Sequence, residues 1–164
     1  MTTPLVRIVD DDADARSSSS FFLSMMGLEI KEYESAQRFL DEDDMNRPGC
    51  IILDVRMPDM TGMELQVKLN QKNCRLPIIF LSGHGELDMA VHALKRGASD
   101  FLQKSAKPER LLAAVKKAVT ASMEEFESDS EIETLRKIYE RWWPGVLAHA
   151  CNPSTLGGQG RRIT

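Results

Sequence analysis

A chain of 164 residues, 42% apolar and 28% charged, has room for one domain with a full core and an appendage, in an ordinary globular composition. Its formal net charge of −4 gives no electrostatic basis for binding nucleic acid as it stands. No run approaches the roughly 18 apolar residues of a membrane span, and "MTTPLVRIVDDD" lacks a signal peptide's basic start and long apolar stretch. Cys50, Cys74 and Cys151 are odd in number and show no ligand spacing, so free thiols in a reducing cytoplasm are expected.

In chain order, "LVRIV" (5–9) reads as a first strand. Residues 13–26 follow with helical period, placing Phe21, Phe22, Met25 and Met26 on one face before a stop at Gly27. "LEIKEY" (28–33) is a second strand, and Ser35 can cap a short helix that buries Ala36, Phe39 and Leu40. The apolar run Ile51-Ile52-Leu53 reads as a buried strand, yet it ends on the carboxylate of Asp54. Thr61 and Glu64 then make a capping-box pair before "GMELQVKLNQ". "LPIIFL" (76–81) is a fourth strand. "ELDMAVHALKRG" sets Leu87, Ala90, Val91 and Leu94 on one helical face and ends in Lys-Arg-Gly, which suits a helix C-terminus. "DFL" (100–102) is a fifth strand, and Pro108 opens a helix carrying Leu111, Leu112, Val115, Ala118 and Val119.

Five short strands alternating with five helices predict an α/β domain with a parallel sheet, and apolar strands without alternation fit a sheet covered on both faces. Ligands of such sheets bind outside the carboxyl ends of the strands. At that edge the sequence puts Asp10-Asp11-Asp12, Asp54, Ser82-Gly83 and Lys104. Crowded carboxylates repel and raise one another's pKa values, and a hard cation such as Mg²⁺ removes the conflict. A hydroxyl and an ammonium beside it can bind the remaining oxygens of a phosphoryl group. The chemistry implied is Mg²⁺-assisted phosphoryl transfer at Asp54. Taken singly, the aspartate run serves equally as a helix cap, Ser82 as a turn residue and Lys104 as a surface charge.

With those residues in place, residues 1–122 resemble the receiver domain of bacterial two-component response regulators. "VDDD", "LDVRMPDMTG", "FLSGHGELDMAV" and "GASDFLQK" are most similar to the FixJ-like branch. The resemblance implies a flavodoxin-like (CheY-like), doubly wound five-stranded sheet in the order 2-1-3-4-5. It implies a sensor histidine kinase that phosphorylates Asp54. Asp11 and Asp54, with the backbone carbonyl of Arg56, would bind Mg²⁺, and Asp10 would act mainly through water. Ser82 takes the position of the phosphoryl-binding hydroxyl, Phe101 that of the switch aromatic and Lys104 that of the phosphoryl-pairing lysine. Pro58 and Gly62 shape the loop after the acceptor. Phosphorylation would favour a homodimer through helix four and strand five, around Val91, Lys95 and Phe101.

One position departs from the family. Lys104 is followed by Ser105, where the family has proline after a cis bond. A cis bond before a non-proline residue costs roughly 2.5–4 kcal/mol, so a trans bond is expected, with the Lys104 ammonium displaced from the acidic pocket. A rival reading, a phosphohydrolase of the haloacid-dehalogenase type, needs a second aspartate two residues after the nucleophile, and Arg56 stands there. A freestanding receiver acting by protein contacts alone is the other alternative. His84, His92 and His149 are too scattered for a metal site. Met57 and Met60, close after Asp54, could shield an acyl phosphate from water.

Beyond the receiver, residues 123–142 form a helical extension with Ile132, Leu135, Ile138, Tyr139 and Trp142 as an apolar stripe, either packed on its own domain or pairing protomers. In FixJ-like regulators such a segment leads to a helix-turn-helix domain that binds DNA. Residues 143–164, "WPGVLAHACNPSTLGGQGRRIT", carry no such pattern and resemble the conceptual translation of a mobile genomic repeat. They are expected to be an irregular, non-native tail that leaves the DNA-binding output domain absent.

Overall fold

The structure, a computed structural model, describes residues 3–83 and 87–142. The expectations for His84, His149, Cys151 and the tail from 143 onward lie outside the described residues. Five strands and five helices alternate: β1 (Leu5–Val9), α1 (Ala13–Met25), β2 (Glu29–Tyr33), α2 (Ala36–Glu42), β3 (Gly49–Asp54), α3 (Gly62–Gln71), β4 (Ile78–Ser82), α4 (Leu87–Lys95), β5 (Asp100–Gln103) and α5 (Pro108–Trp142). All neighbouring strands pair in parallel, in the order β2-β1-β3-β4-β5. This is the doubly wound fold expected, with the sequence of crossovers reversing direction between β1 and β3.

Local chemistry sets the element ends. Asp12 caps α1 by accepting from the backbone N–H groups of Asp14 and Ala15, and Ser35 caps α2 through Arg38 N–H. Thr61 and Glu64 form the expected capping box on α3. Pro108 opens α5.

β1, β3 and β4 are buried along their whole length, as unalternated apolar strands require. β2 differs: Glu29, Lys31 and Glu32 are exposed and only Tyr33 is buried. It is an edge strand, and charged side chains there discourage pairing with another chain. One face of the sheet shares its core with α1 and α5, where Val6, Ile8, Cys50, Ile52, Ile79 and Leu102 meet Leu23, Leu111, Val115 and Val119. Strand alternation sends Ile51, Leu53 and Phe80 to the opposite face, which right-handed crossovers cover with α2, α3 and α4.

The inward face of α1 differs from expectation. α1 turns Phe21 and Met25 to solvent and packs through Leu23 and Phe22. Residues 21 and 25 share a stripe about 100° or more from the inward one, and the sheet selects the stripe holding the β-facing leucine. In α4 the stripe of Leu87, Val91 and Leu94 is exposed, and Ala93 is the buried contact.

The chain divides into two compact units, Met1–Glu124 and a second beginning at Glu125. In the first, Ser122 is buried and its hydroxyl accepts from Gly49 N–H at 3.0 Å, tying α5 to the start of β3. At Gly49 (φ 149°) an added Cβ would lie 1.8 Å from the Leu5 carbonyl oxygen, so only glycine lets β3 start against β1. Among the described residues, no helix is long and apolar enough to cross a membrane.

Candidate functional site

The reversal point between β1 and β3 opens a crevice at the strands' carboxyl ends. β1 delivers Asp10 and Asp11 just beyond Val9, and β3 delivers Asp54 as its last residue. One carboxylate oxygen from each of Asp10, Asp11 and Asp54 lies within 4.8 Å of the others. Asp10 and Asp54 are buried and Asp11 is exposed. Lys104 reaches in from the end of β5, its Nζ 3.0 Å from Asp10 Oδ2 and 3.4 Å from Asp54 Oδ2.

The two buried acids are held by backbone. Asp12 N–H donates to Asp10 Oδ1 at 2.9 Å, and Arg56 N–H approaches Asp54 Oδ1 at 3.4 Å. Arg16 on α1 donates to the Asp10 carbonyl at 2.6 Å. Gly62, the first residue of α3, packs so closely that an added Cβ would lie 2.2 Å from the Asp54 carbonyl oxygen. The loop between them is closed at its base by Gly62 N–H donating to the Val55 carbonyl at 3.0 Å, with Met57 buried and Met60 half-buried.

Burial, then the charge of Asp10 and a hydrogen bond with it, pushes the Asp54 carboxyl from 3.8 up to about 7, against the opposing pull of Lys104 and Arg56 N–H. Burial alone would lower the Lys104 ammonium, but its hydrogen bond to Asp10 and the charges of Asp10 and Asp54 outweigh that and raise it. Asp54 is therefore a buried carboxyl whose ionised form is incompletely compensated. A hard divalent cation fits this set, since Mg²⁺ takes one or two carboxylates while retaining several waters, and this cluster offers that many with one to spare.

Ser82 closes β4 and is 1% exposed, and its carbonyl accepts from Lys104 N–H at 2.7 Å. Phe101 on β5 is half-buried, its ring 5.9 Å from that of Phe80. No peptide bond among the described residues is cis, so Lys104–Ser105 is trans as expected. The expected displacement of Lys104 is corrected: its ammonium sits in the pocket. The bond from Lys104 N–H to Ser82 fixes the root of the side chain, and the flexible four-carbon stem spans the rest.

Sequence reasoning passed over Arg7. It lies fully buried in the middle of β1, its Nε 3.2 Å from Asp43 Oδ2, with Nη atoms donating to the carbonyls of Leu5 (3.1 Å) and Arg47 (2.9 Å). Tyr33 O–H donates to the same Asp43 oxygen at 2.6 Å. An arginine inside an otherwise apolar strand was the available signal. Gln66, also fully buried, spans α3 and α4 by donating to the Ala93 carbonyl at 3.0 Å.

The parallel α/β sheet gathers acidic residues and a lysine at its reversal point, and no glycine-rich phosphate loop follows β1. The chain belongs to the response regulator receiver domain family, which matches residues 6–116. It is 40% identical to the response regulator protein TmoT of Ectopseudomonas mendocina over 83% of this chain and 62% of that one. It is likewise 40% identical to the transcriptional regulatory protein FixJ of Rhizobium meliloti (strain 1021), over 72% and 58%. The crystal structure of FixJ-N superimposes with a TM-score of 0.68 at 38% identity, covering 73% of this chain and 96% of that one. The chain thus spans about three fifths of the length of the curated relatives it matches.

Proposed function

We propose that this receiver accepts a phosphoryl group on Asp54 from a sensor histidine kinase. The observation that supports it is the buried, incompletely compensated Asp54 carboxyl beside Asp10, Asp11 and Lys104. In the transfer, an Asp54 oxygen forms the new P–O bond as the P–N bond of the kinase phosphohistidine breaks, and that electron pair returns to the imidazole. Asp11, Asp54 and the Arg56 carbonyl, with Asp10 acting mainly through water, would hold Mg²⁺, which would supply positive charge favouring the ionised acid and the anionic phosphoryl group. Lys104 neutralises phosphoryl oxygens, and the Ser82 hydroxyl donates to one of them. Met57 and Met60 shield the acyl phosphate from water.

The new charge biases a two-state element: Ser82 moves toward it and Phe101 turns inward. The partner surface follows from α4, whose Leu87 (77% exposed), Val91 (43%) and Leu94 (48%) present apolar side chains to solvent beside β5. A phosphorylation-dependent homodimer through α4 and β5, including Lys95, covers them. The relatives' description as transcriptional regulators supports a parent protein that binds DNA through a separate output domain, and a cytoplasmic location. The domain limits proposed are 1–122 for the receiver, 123–142 for the linker helix and 143–164 for the tail.

Acetyl phosphate with Mg²⁺ should add one phosphoryl group, located by mass spectrometry on Asp54, and Asp54→Asn should abolish it. Phosphorylation of that variant at the wild-type rate overturns the assignment. Sedimentation of the phosphorylated chain should show a heavier species that Val91→Asp removes.

A further inference from the structure

Beyond Glu125, α5 leaves three large apolar side chains uncovered: Ile132 (59% exposed), Leu135 (53%) and Ile138 (48%). Two of them, with the sequence positions that follow, fall on a heptad seam: Ile132 at a, Leu135 at d, Tyr139 at a and Trp142 at d, with Ile138 flanking at g. In this register Glu131 occupies g and Arg136 the following e. A parallel pair sets g opposite the partner's e five residues on, so Glu131 meets the partner's Arg136, and two-fold symmetry repeats that contact. Arg136 already has an intrahelical contact with Glu133 at 4.0 Å, an exposed pair whose exchange costs little.

The same register shows where pairing begins. Upstream, the a and d positions are Glu125 and Ser128, and the g–e pair would set Glu124 against the partner's Asp129. Polar seam positions and like charges exclude a zipper there. We infer that residues 131–142 form a short parallel coiled coil with a second copy of this chain, an interface separate from α4 and β5. Twelve residues are weak alone. They add to a second contact by raising the effective concentration of one copy near the other.

The test uses the full chain without phosphodonor, so failure of the phosphotransfer reading leaves it standing. In a Cys151→Ser background, Leu135→Cys should give a covalent dimer under mild oxidation far faster than Lys137→Cys, which lies at f on the outer face. Sedimentation equilibrium should show Glu131→Lys and Arg136→Glu each weakening self-association by about tenfold, since each replaces two attractions by two repulsions. The double variant Glu131→Lys/Arg136→Glu should recover the wild-type association. Equal cross-linking at 135 and 137, absence of rescue, or a monomer at the highest soluble concentration overturns the inference.

Discussion

β1 takes part in two clusters with the same ingredients and opposite outcomes. From its middle, Arg7 joins Asp43 and Tyr33; beyond its finish, Asp10 joins Asp54 and Lys104. In the first, burial would raise the Asp43 carboxyl, but Tyr33 O–H, Met45 N–H and Arg7 outweigh it and hold the group below its ordinary value. In the second, burial and Asp10 outweigh Lys104 and Arg56 N–H, and Asp54 rises to about 7. A cluster with its charges satisfied holds the fold together. One short of positive charge stores unfavourable energy that a cation, a proton or a covalent modification at Asp54 can relieve.

The largest effect should come from breaking the satisfied cluster. Arg7→Ala leaves the Asp43 carboxylate and the Leu5 and Arg47 carbonyls without their buried donor, and losing one partner of a buried pair costs about 3–5 kcal/mol. Urea unfolding should show that loss. Because Asp43 is depressed in the fold, its contribution is present above the unfolded pKa of about 3.9 and disappears as pH falls through the lower folded value. Wild type should therefore lose stability below about pH 4, and Arg7→Ala should flatten that acid limb.

The opposite sign is expected at the other cluster. An acid raised in the fold is penalised wherever it is ionised, so stability from this group falls as pH rises from about 4 through about 7. The full rise corresponds to at most ~4 kcal/mol, and sharing of charge with Asp10 and Lys104 reduces it to about 1–3. Asp54→Asn should thus stabilise the Mg²⁺-free protein by about 1–3 kcal/mol at pH 8, with the gain vanishing near pH 4. Saturating Mg²⁺ should shrink the gain by stabilising only the wild type. Denaturation at the two pH values, with and without the ion, measures all three.

Within the aspartate run the contrast becomes finer. Asp12 accepts from Asp14 N–H (3.0 Å) and Ala15 N–H (3.2 Å), so Asp12→Ala should cost about 1 kcal/mol as a lost cap. Asp11, exposed and with an oxygen among the acid cluster, makes no such cap. Asp11→Ala should weaken Mg²⁺ binding far more than Asp12→Ala, with calorimetry as the readout. Equal effects on the ion would remove the distinction.

What the sequence made legible follows the same division. Asp54 was readable because a carboxylate closing an apolar run contradicts burial, and the contradiction lies within four residues. The caps at Ser35 and Thr61 followed from local pattern, and the strand order from the resemblance to receiver domains. Arg7 escaped because its partner stands 36 residues away, and nothing local announces a long-range ion pair. The inward stripe of α1 was misassigned because Phe21 and Met25 are as apolar as Phe22 and Leu23, and only the sheet chooses between neighbouring stripes. The exposure of β2 follows from its place at the edge of the strand order, which its own residues do not announce. Lys104 was misplaced by treating the peptide bond as the sole determinant of its position.

The smallest effect is expected at Ser105. If the residue after Lys104 governed the ammonium's position, a change there would disturb the pocket. The structure assigns that control elsewhere: Lys104 N–H is anchored on the Ser82 carbonyl at 2.7 Å, and Nζ is drawn to Asp10 at 3.0 Å. Ser105 is exposed, and its hydroxyl makes only a 3.4 Å contact to Gln103 Oε1, long and solvent-screened. Ser105→Ala should change stability by less than about 0.5 kcal/mol and leave the acetyl phosphate reaction rate within about twofold, under 0.5 kcal/mol of barrier. Lys104→Met, of similar length without the charge, should slow the same reaction by at least about tenfold, since charge-assisted contacts to the phosphoryl oxygens vanish. Comparable slowing by Ser105→Ala would return control of Lys104 to the loop and break the separation between anchor and neighbour.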